Sequence, residues 1–157
     1  MNTSIDQELL DRQYMALALE EAKAAAALGE TPIGAVLVWE GEVVARTGNR
    51  REIDRLATAH AEILAIQEAC KALGGWRLHK GTLYVTLEPC PMCAGAIINA
   101  RIPRVVYGAS DPKAGCCGSL TDLFAVPFNH HPEVVGGVLA DECSVLLQDF
   151  FRSLRKK

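Results

Sequence analysis

The chain has 157 residues, half of them hydrophobic, and a formal net charge of −3. This length and apolar content suffice for a full core, so we expect residues 1–157 to form a single domain. The acidic balance argues against non-specific nucleic-acid binding, which needs a basic surface. No apolar run reaches the ~18 residues of a membrane span, and the N-terminus lacks a signal-peptide pattern. A cytoplasmic protein that does not enter a membrane is expected.

Helical and extended patterns alternate along the chain. The predicted helices cover 6–28, 59–73, a segment from about 90, and 141–154, with a helical turn over 120–124. The predicted strands cover 33–39, 43–47, 82–87 and 104–107, with a weak strand over 134–139. Loops are predicted over 48–55 and 108–118. The alternation predicts an α/β fold with helices on both faces of a mixed sheet. Strand, helix and strand between 82 and 107 predict a parallel crossover.

Two of these helices carry apolar positions at helical spacing. In the first helix the predicted core stripe consists of Leu10, Tyr14, Leu17 and Ala18. In the second the predicted face consists of Ile63, Leu64, Ile66 and Ala69. We expect both faces to pack on the sheet.

Two of the six cysteines stand three residues apart, where a predicted strand meets a predicted helix. Pro91 suits the first position of a helix, so Cys90 and Cys93 lie on one face of its first turn. The positive end of the helix dipole favours thiolates, the form of cysteine that binds metal. The chain exceeds the small secreted scaffolds that need disulfides, so reduced cysteines and a metal or redox site are expected.

His60 lies at the start of another predicted helix, just before Ala61 and Glu62. One imidazole and two thiolates are ligands that zinc prefers, and three protein ligands leave one position for water, as in catalytic sites. A carboxylate beside that water can take up a proton and return it. Glu62 stands two residues after His60, so both reach one pocket only if the first turn directs them there.

The combination of His60-Ala61-Glu62 with Pro89-Cys90-Pro91-Met92-Cys93 resembles the signature of the zinc-dependent nucleobase deaminases. Further segments resemble the bacterial tRNA-specific adenosine deaminases, within the cytidine/deoxycytidylate deaminase superfamily. They are 31–36, 48–50, 86–90, 111–115, 128–130 and 139–143. The resemblance extends from about residue 10 to the end of the chain.

This resemblance implies a three-layer α/β/α cytidine-deaminase-like fold with a mixed five-stranded sheet. It implies one Zn²⁺ per subunit held by His60, Cys90 and Cys93, with Glu62 as the catalytic proton shuttle. The implied reaction converts adenosine to inosine at the wobble position of a tRNA anticodon stem-loop, in a homodimer. The implied substrate-binding residues are Asn49, Asp111, Lys113, Asn129, His130 and Arg152. Arg152 begins a basic tail, and a few local cations suffice for an anticodon loop that is already single-stranded.

Three alternatives stay open at this stage. The first is a deaminase of a free nucleobase or nucleoside, which needs no RNA-contacting tail. The second is a non-catalytic zinc-stabilised RNA-binding module, with a fourth ligand from Cys70, Cys116 or Cys143. The third is a thioredoxin-like redox role for Cys90 and Cys93.

Two local features stand apart from the family pattern. Residues 55–57, Arg-Leu-Ala, differ from the aspartate and proline expected there, which leaves the shape of that loop open. Cys116 and Cys117 form an unusual adjacent pair, which we interpret as packing, with a role as an extra metal ligand as the alternative.

Overall fold

The computed structural model describes residues 3–156, so Lys157 of the predicted basic tail lies outside the described residues. The strands are β1 (Gly34–Trp39), β2 (Glu42–Gly48), β3 (Gly81–Leu87), β4 (Arg104–Ala109) and β5 (Glu133–Val135). The helices are α1 (Thr3–Ala27), α2 (Arg51–Asp54), α3 (Ala61–Leu73), α4 (Pro91–Ala100) and α5 (Ala140–Arg155), with a 3-10 turn at Leu123–Ala125. None of the helices in this part of the chain is long and apolar enough to cross a membrane.

The five strands form one mixed sheet in the order β2-β1-β3-β4-β5. β1 pairs antiparallel with β2 and β3, whereas β3, β4 and β5 run parallel. α1 and α5 contribute to the core on one face of the sheet, and α3 and α4 to the core on the other. The predicted three-layer α/β/α fold and its parallel crossover through α4 are therefore confirmed.

The buried stripe of α1 differs in part from the predicted one. It consists of Asp11, Met15, Ala18, Leu19, Ala22 and Ala25. Leu10 was wrongly predicted as core, since its side chain is 42% exposed. Its neighbour Asp11 takes the buried position because Arg104 and Tyr84 bind that carboxylate. At Gly34 an added Cβ would lie 2.0 Å from the carbonyl oxygen of Ala18, so α1 rests directly on β1.

The face that α3 turns to the sheet differs only in part from the prediction, since Ala69 is buried and Ile66 packs against the core as predicted. Its buried apolar residues are Ala61, Ala65 and Ala69, while Ile63 and Ile66 are half-buried. The short alanine side chains allow a helix backbone to lie close to a strand, which displaces larger residues outward. The two isoleucines also line an outer groove shared with Trp76 and α4.

Two segments predicted as loops contain regular structure. α2 forms within the predicted polar loop because the buried carboxylate of Glu30 accepts hydrogen bonds from the backbone N–H groups of Glu52 and Ile53. β4 continues through Gly108 and Ala109, beyond its predicted end. β5 is shorter than predicted, and Gly137 follows it with a positive φ.

The carboxyl ends of three strands lie at one edge of the sheet. Gly48 at the end of β2 is paired with Gly34, and Leu87 at the end of β3 is paired with Ala109 at the end of β4. The segments that follow these strands therefore emerge beside one another. Sites in open α/β sheets assemble at such an edge.

Candidate active site

Two cysteines lie at the start of α4. Cys90 is the N-cap residue, Pro91 occupies the first helical position, and Cys93 follows within the first turn. Cys93 is buried and Cys90 is half-buried. The proline fits this position because the first N–H groups of a helix have no intrahelical partner. The predicted helix start is thus confirmed.

His60 is the N-cap residue of α3 and faces both sulfur atoms. Its Nδ1 atom lies 3.6 Å from Sγ of Cys90 and 3.6 Å from Sγ of Cys93. Among residues 3–156, these are the three donors that could hold a metal ion together, all within 4.8 Å of one another. A tetrahedral zinc ion, about 2.3 Å from sulfur and about 2.0 Å from nitrogen, would separate the nitrogen from each sulfur by about 3.5 Å. The donor types and their spacing therefore fit zinc.

A hydrogen bond couples the two cysteines. A hydrogen bond with Cys93 lowers the pKa of Cys90 to about 4. The same hydrogen bond, together with burial, raises the pKa of Cys93 well above its usual range. Cys90 therefore loses its proton more readily than Cys93. A metal ion that binds both sulfur atoms as thiolates would displace the proton of Cys93.

Glu62 lies in the first turn of α3 and is only 4% exposed. Burial raises the pKa of this carboxyl to about 7. Glu62 and His60 line the same cavity, although a regular helix would separate their directions. They converge because His60, as the N-cap, has an extended backbone and Glu62 is helical. The arrangement puts a carboxyl group that can gain or lose a proton near neutrality beside the three donors.

The cavity that contains this cluster has a volume of about 240 Å³. Its lining consists of Thr31, Ile33, Asn49, Arg51, His60, Ala61, Glu62, Leu87, Glu88, Cys90, Asp111, Ala114 and Phe151. Asn49 follows β2, Cys90 follows β3 and Asp111 follows β4, so the shared edge of the sheet brings them together. Of the predicted substrate-binding residues, Asn49 and Asp111 lie in this cavity.

Asn49 is 6% exposed, and its Oδ1 atom accepts a hydrogen bond from the backbone N–H of Arg51. The carboxylate of Asp111 accepts from the backbone N–H groups of Lys113 and Ala114. The Asn49 side-chain amide thus borders the cavity as a further polar group. The Asp111 carboxylate instead stabilises the conformation of its own loop through these hydrogen bonds.

The other predicted substrate-binding residues lie outside the cavity lining. Lys113 and Asn129 are exposed, and Arg152 forms an exposed ion pair with Asp149 on α5. Nε2 of His130 hydrogen-bonds the carbonyl oxygen of Ile102, which precedes β4, so His130 lies toward the opposite edge of the sheet. The roles of these four residues stay predictions.

Phe151, Arg51 and Glu88 are among the cavity residues that were not singled out from the sequence. Phe151 reaches the cavity from α5. The expectation that sites form at the carboxyl ends of strands does not point to a residue of this helix. Arg51 lines the cavity and forms no ion pair within residues 3–156. Glu88 stands two residues before Cys90. An acidic residue at the end of an apolar strand was the feature of the sequence that could have identified it.

The remaining cysteines do not join the three donors. Cys116 is buried with Sγ toward the carbonyl oxygen of Ala114, and Cys70 faces the carbonyl oxygen of Trp76. Cys143 packs against Gly108, where an added Cβ would lie 2.4 Å from its sulfur. In the described part of the chain, no cysteine supplies the fourth ligand of a structural zinc site.

The MafB19-like deaminase family matches residues 10–155. The tRNA-specific adenosine deaminase of Bacillus subtilis (strain 168) is 59% identical over 148 residues, covering 94% of this chain and 92% of that protein. The enzyme of the same name from Agrobacterium fabrum (strain C58) is 53% identical over 144 residues, covering 90% of this chain and 94% of that protein.

Solved structures agree with these relatives. A structure from work on A-to-I editing by tRNA:A34 deaminases at the wobble position superposes with a TM-score of 0.83 and 51% identity, covering 86% of this chain and 99% of that chain. A guanine deaminase from Nitrosomonas europaea superposes with a TM-score of 0.72 and 26% identity, covering 88% of this chain and 83% of that chain.

The fold, the His-Cys-Cys cluster and the matched family define the class of this protein as a deaminase. Within the deaminases, the sequence identities of 59% and 53% over at least 90% of the chain show which group this chain belongs to. The chain belongs to the tRNA-specific adenosine deaminases. The predicted resemblance is confirmed, and the thioredoxin-like alternative has no support.

Proposed function

We propose that this protein hydrolyses the exocyclic amine of adenosine at the wobble position of a tRNA anticodon, producing inosine and ammonia. The observation that carries the proposal is the cavity in which His60, Cys90 and Cys93 meet beside the buried carboxyl of Glu62. Family membership supports the RNA substrate. At about 240 Å³, the cavity is smaller than the roughly 300–1,000 Å³ of drug-sized sites. This size suits one extruded base with the rest of the RNA outside.

His60, Cys90 and Cys93 would hold one zinc ion per subunit. The donor types and the 3.6 Å separations support this assignment. Bound there, zinc would supply the Lewis acidity that activates a water molecule for attack on C6 of adenine.

Glu62 would move the protons of the reaction. Its carboxylate accepts a proton from the attacking water and delivers it to N1 of adenine. It then takes the second proton from the new hydroxyl group on C6 and transfers it to the departing amine, which leaves as ammonia. A pKa near 7 suits a group that must both accept and donate a proton at neutral pH. The buried position of Glu62 in the cavity supports the role of proton shuttle.

Asn49, Arg51 and Phe151 would bind the extruded nucleotide and its neighbours. The Asn49 amide would hydrogen-bond the base or its sugar, and Arg51 would contact an adjoining phosphate. Phe151 offers an aromatic face on which a neighbouring base could stack. Lys113, Asn129, His130 and Arg152 remain proposed RNA contacts on the strength of the resemblance.

We further propose that the enzyme is a cytoplasmic homodimer that binds the anticodon stem-loop, as the resemblance implies. Light scattering coupled to gel filtration tests the dimer. A mass of twice 16.9 kDa is expected, and a mass of 16.9 kDa at working concentration would contradict it.

The function is tested by incubating the zinc-loaded protein with an anticodon stem-loop that has adenosine at the wobble position. Nucleosides are then quantified by mass spectrometry, with free adenosine, cytidine and guanine as parallel substrates. Inosine at that single position, with the free compounds unchanged, is the expected result. Free guanine is the sharpest control, because a structural relative is a guanine deaminase. Turnover of a free base with unmodified RNA would contradict the proposal.

A further inference from the structure

The loop from Asp111 to Ser119, here called the 111–119 loop, forms one wall of the active-site cavity. Asp111 and Ala114 contribute that wall. Lys113 stands between them and is exposed to solvent. The loop therefore borders the space through which RNA must enter.

A single buried carboxylate holds both ends of this loop. Glu88 is 2% exposed, and its Oε1 atom accepts hydrogen bonds from the backbone N–H of Asp111 at 3.0 Å and from the hydroxyl of Ser119. Its Oε2 atom accepts from the backbone N–H of Cys117 at 2.8 Å and of Ser119 at 3.1 Å. Four donors from the loop thus converge on one side chain.

The middle of the loop is fitted to the same carboxylate. An added Cβ at Gly115 would lie 2.4 Å from Cδ of Glu88 and 2.5 Å from the carbonyl oxygen of Asp111. Only glycine permits this approach. Within the loop, the N–H of Gly115 donates to the carbonyl oxygen of Asp111. The loop therefore closes tightly around Glu88.

We propose that Glu88 is a positioning residue, which fixes the 111–119 loop in the shape that accepts the RNA flanking the target adenosine. The inference rests on the proposed RNA substrate. Glu88 acts through the loop, so its loss should weaken RNA binding more than it slows the chemical step. Charge-assisted hydrogen bonds to backbone N–H groups are the strong ones, which suits a carboxylate rather than an amide at this position.

The test compares Glu88→Gln with the unmodified protein. Glutamine keeps the shape but replaces one acceptor oxygen with an NH₂ group that faces loop donors. We expect faster hydrogen exchange at the amides of Asp111, Cys117 and Ser119, and a KM for the stem-loop raised about tenfold, with kcat changed less than about threefold. Zinc content should remain unchanged. The matched control Glu42→Gln alters an exposed glutamate on β2 and should change none of these values.

Ser119→Ala removes one of the four hydrogen bonds and should produce a smaller change in the same direction, which keeps the test available if Glu88→Gln fails to fold. Unchanged amide exchange in either folded variant would overturn the proposal. A fall in kcat with unchanged KM, or loss of zinc, would also overturn it, because Glu88 would then act on the chemistry or the metal. The exchange measurement needs no RNA, so it separates failure of this inference from failure of the proposed function.

Discussion

His60 and Glu62 line the same cavity from the start of α3, one just before the first helical residue and the other inside the first turn. The change from extended to helical backbone between them turns both side chains toward the two cysteines. Two polar side chains that face one cavity can therefore be encoded two residues apart.

Replacing Glu62 with Gln should remove the proton shuttle and leave the three donors in place. General acid–base groups contribute about 10²- to 10⁴-fold, so kcat for inosine formation should fall at least about 100-fold. Zinc measured by mass spectrometry should stay at one ion per chain. The matched control is Glu68→Gln, an exposed glutamate on the same helix, which should retain full activity. Normal turnover by Glu62→Gln would remove Glu62 from the mechanism.

Removal of the metal should abolish activity, and addition of Zn²⁺ should restore it. Cys93→Ser should lower the zinc content, because a buried thiolate ligand is lost from the cluster. Cys70→Ser serves as the control, because Cys70 lies outside the cluster. This variant should bind zinc as the unmodified protein does. Full activity after exhaustive chelation would exclude a zinc-dependent reaction.

Asn49→Ala should reduce kcat/KM for the stem-loop by about tenfold, the effect of one lost hydrogen bond of roughly 1.4 kcal/mol. The reason is that the Asn49 amide borders the cavity beside His60 and Glu62. Steady-state kinetics on the anticodon stem-loop measure this effect. Arg50→Ala is the neighbouring control, because Arg50 forms an ion pair with Asp54 and does not line the cavity. Equal losses in both variants would contradict a specific role for Asn49.

Asp11→Ala should destabilise the fold by about 3 kcal/mol, the lower range for breaking a buried ion pair. The carboxylate of Asp11 binds Arg104 through two hydrogen bonds of 2.8 and 2.7 Å and also accepts one from Tyr84. Urea unfolding at pH 7 measures the loss. Glu8→Gln, at an exposed position on the same helix, should change stability by less than about 0.5 kcal/mol.

The contribution of Asp11 should also depend on pH. Burial raises its pKa, but hydrogen bonds from Arg104, Tyr84 and Gln7 outweigh burial, so the pKa in the folded protein lies below the ordinary value of 3.8. The stabilisation is therefore complete above pH 3.8 and is lost as the pH falls through the folded pKa. The stability difference between the unmodified protein and Asp11→Asn should stay constant from pH 7 to pH 5 and shrink toward pH 3. A difference that shrinks between pH 7 and pH 5 would point to another titrating group.

The two arginines of the basic segment from Arg101 to Arg104 are bound by other residues of the fold. The sequence places two arginines within four residues directly after the predicted helix that follows Cys90. In the structure Arg104 binds Asp11, and Arg101 lies over the ring of Trp76 and donates to the carbonyl oxygen of Ile98. Both side chains already have partners within the fold, so neither is a free surface cation.

Sequence patterns alone predict the α/β alternation, the helix starts at His60 and Cys90, and the identity of the three donors. These features follow from local rules, namely side-chain periodicity, the preference for proline at the first helical position, and the ligand chemistry of cysteine and histidine. Residues 33–39 and 82–87 were recognisable as strands for the same reason.

Sequence patterns do not show which distant residues border the three donors, because this depends on tertiary packing. Phe151 reaches the cavity from the last helix, and Glu88 receives hydrogen bonds from a loop more than twenty residues later in the chain. Tertiary packing also buries the alanines of α3 fully against the sheet and leaves Ile66 only partly buried. Hydrophobic periodicity in a sequence shows only that one side of a helix or strand is apolar. Close packing between helix and strand, and the pairing of buried charges, select the residues that fill it.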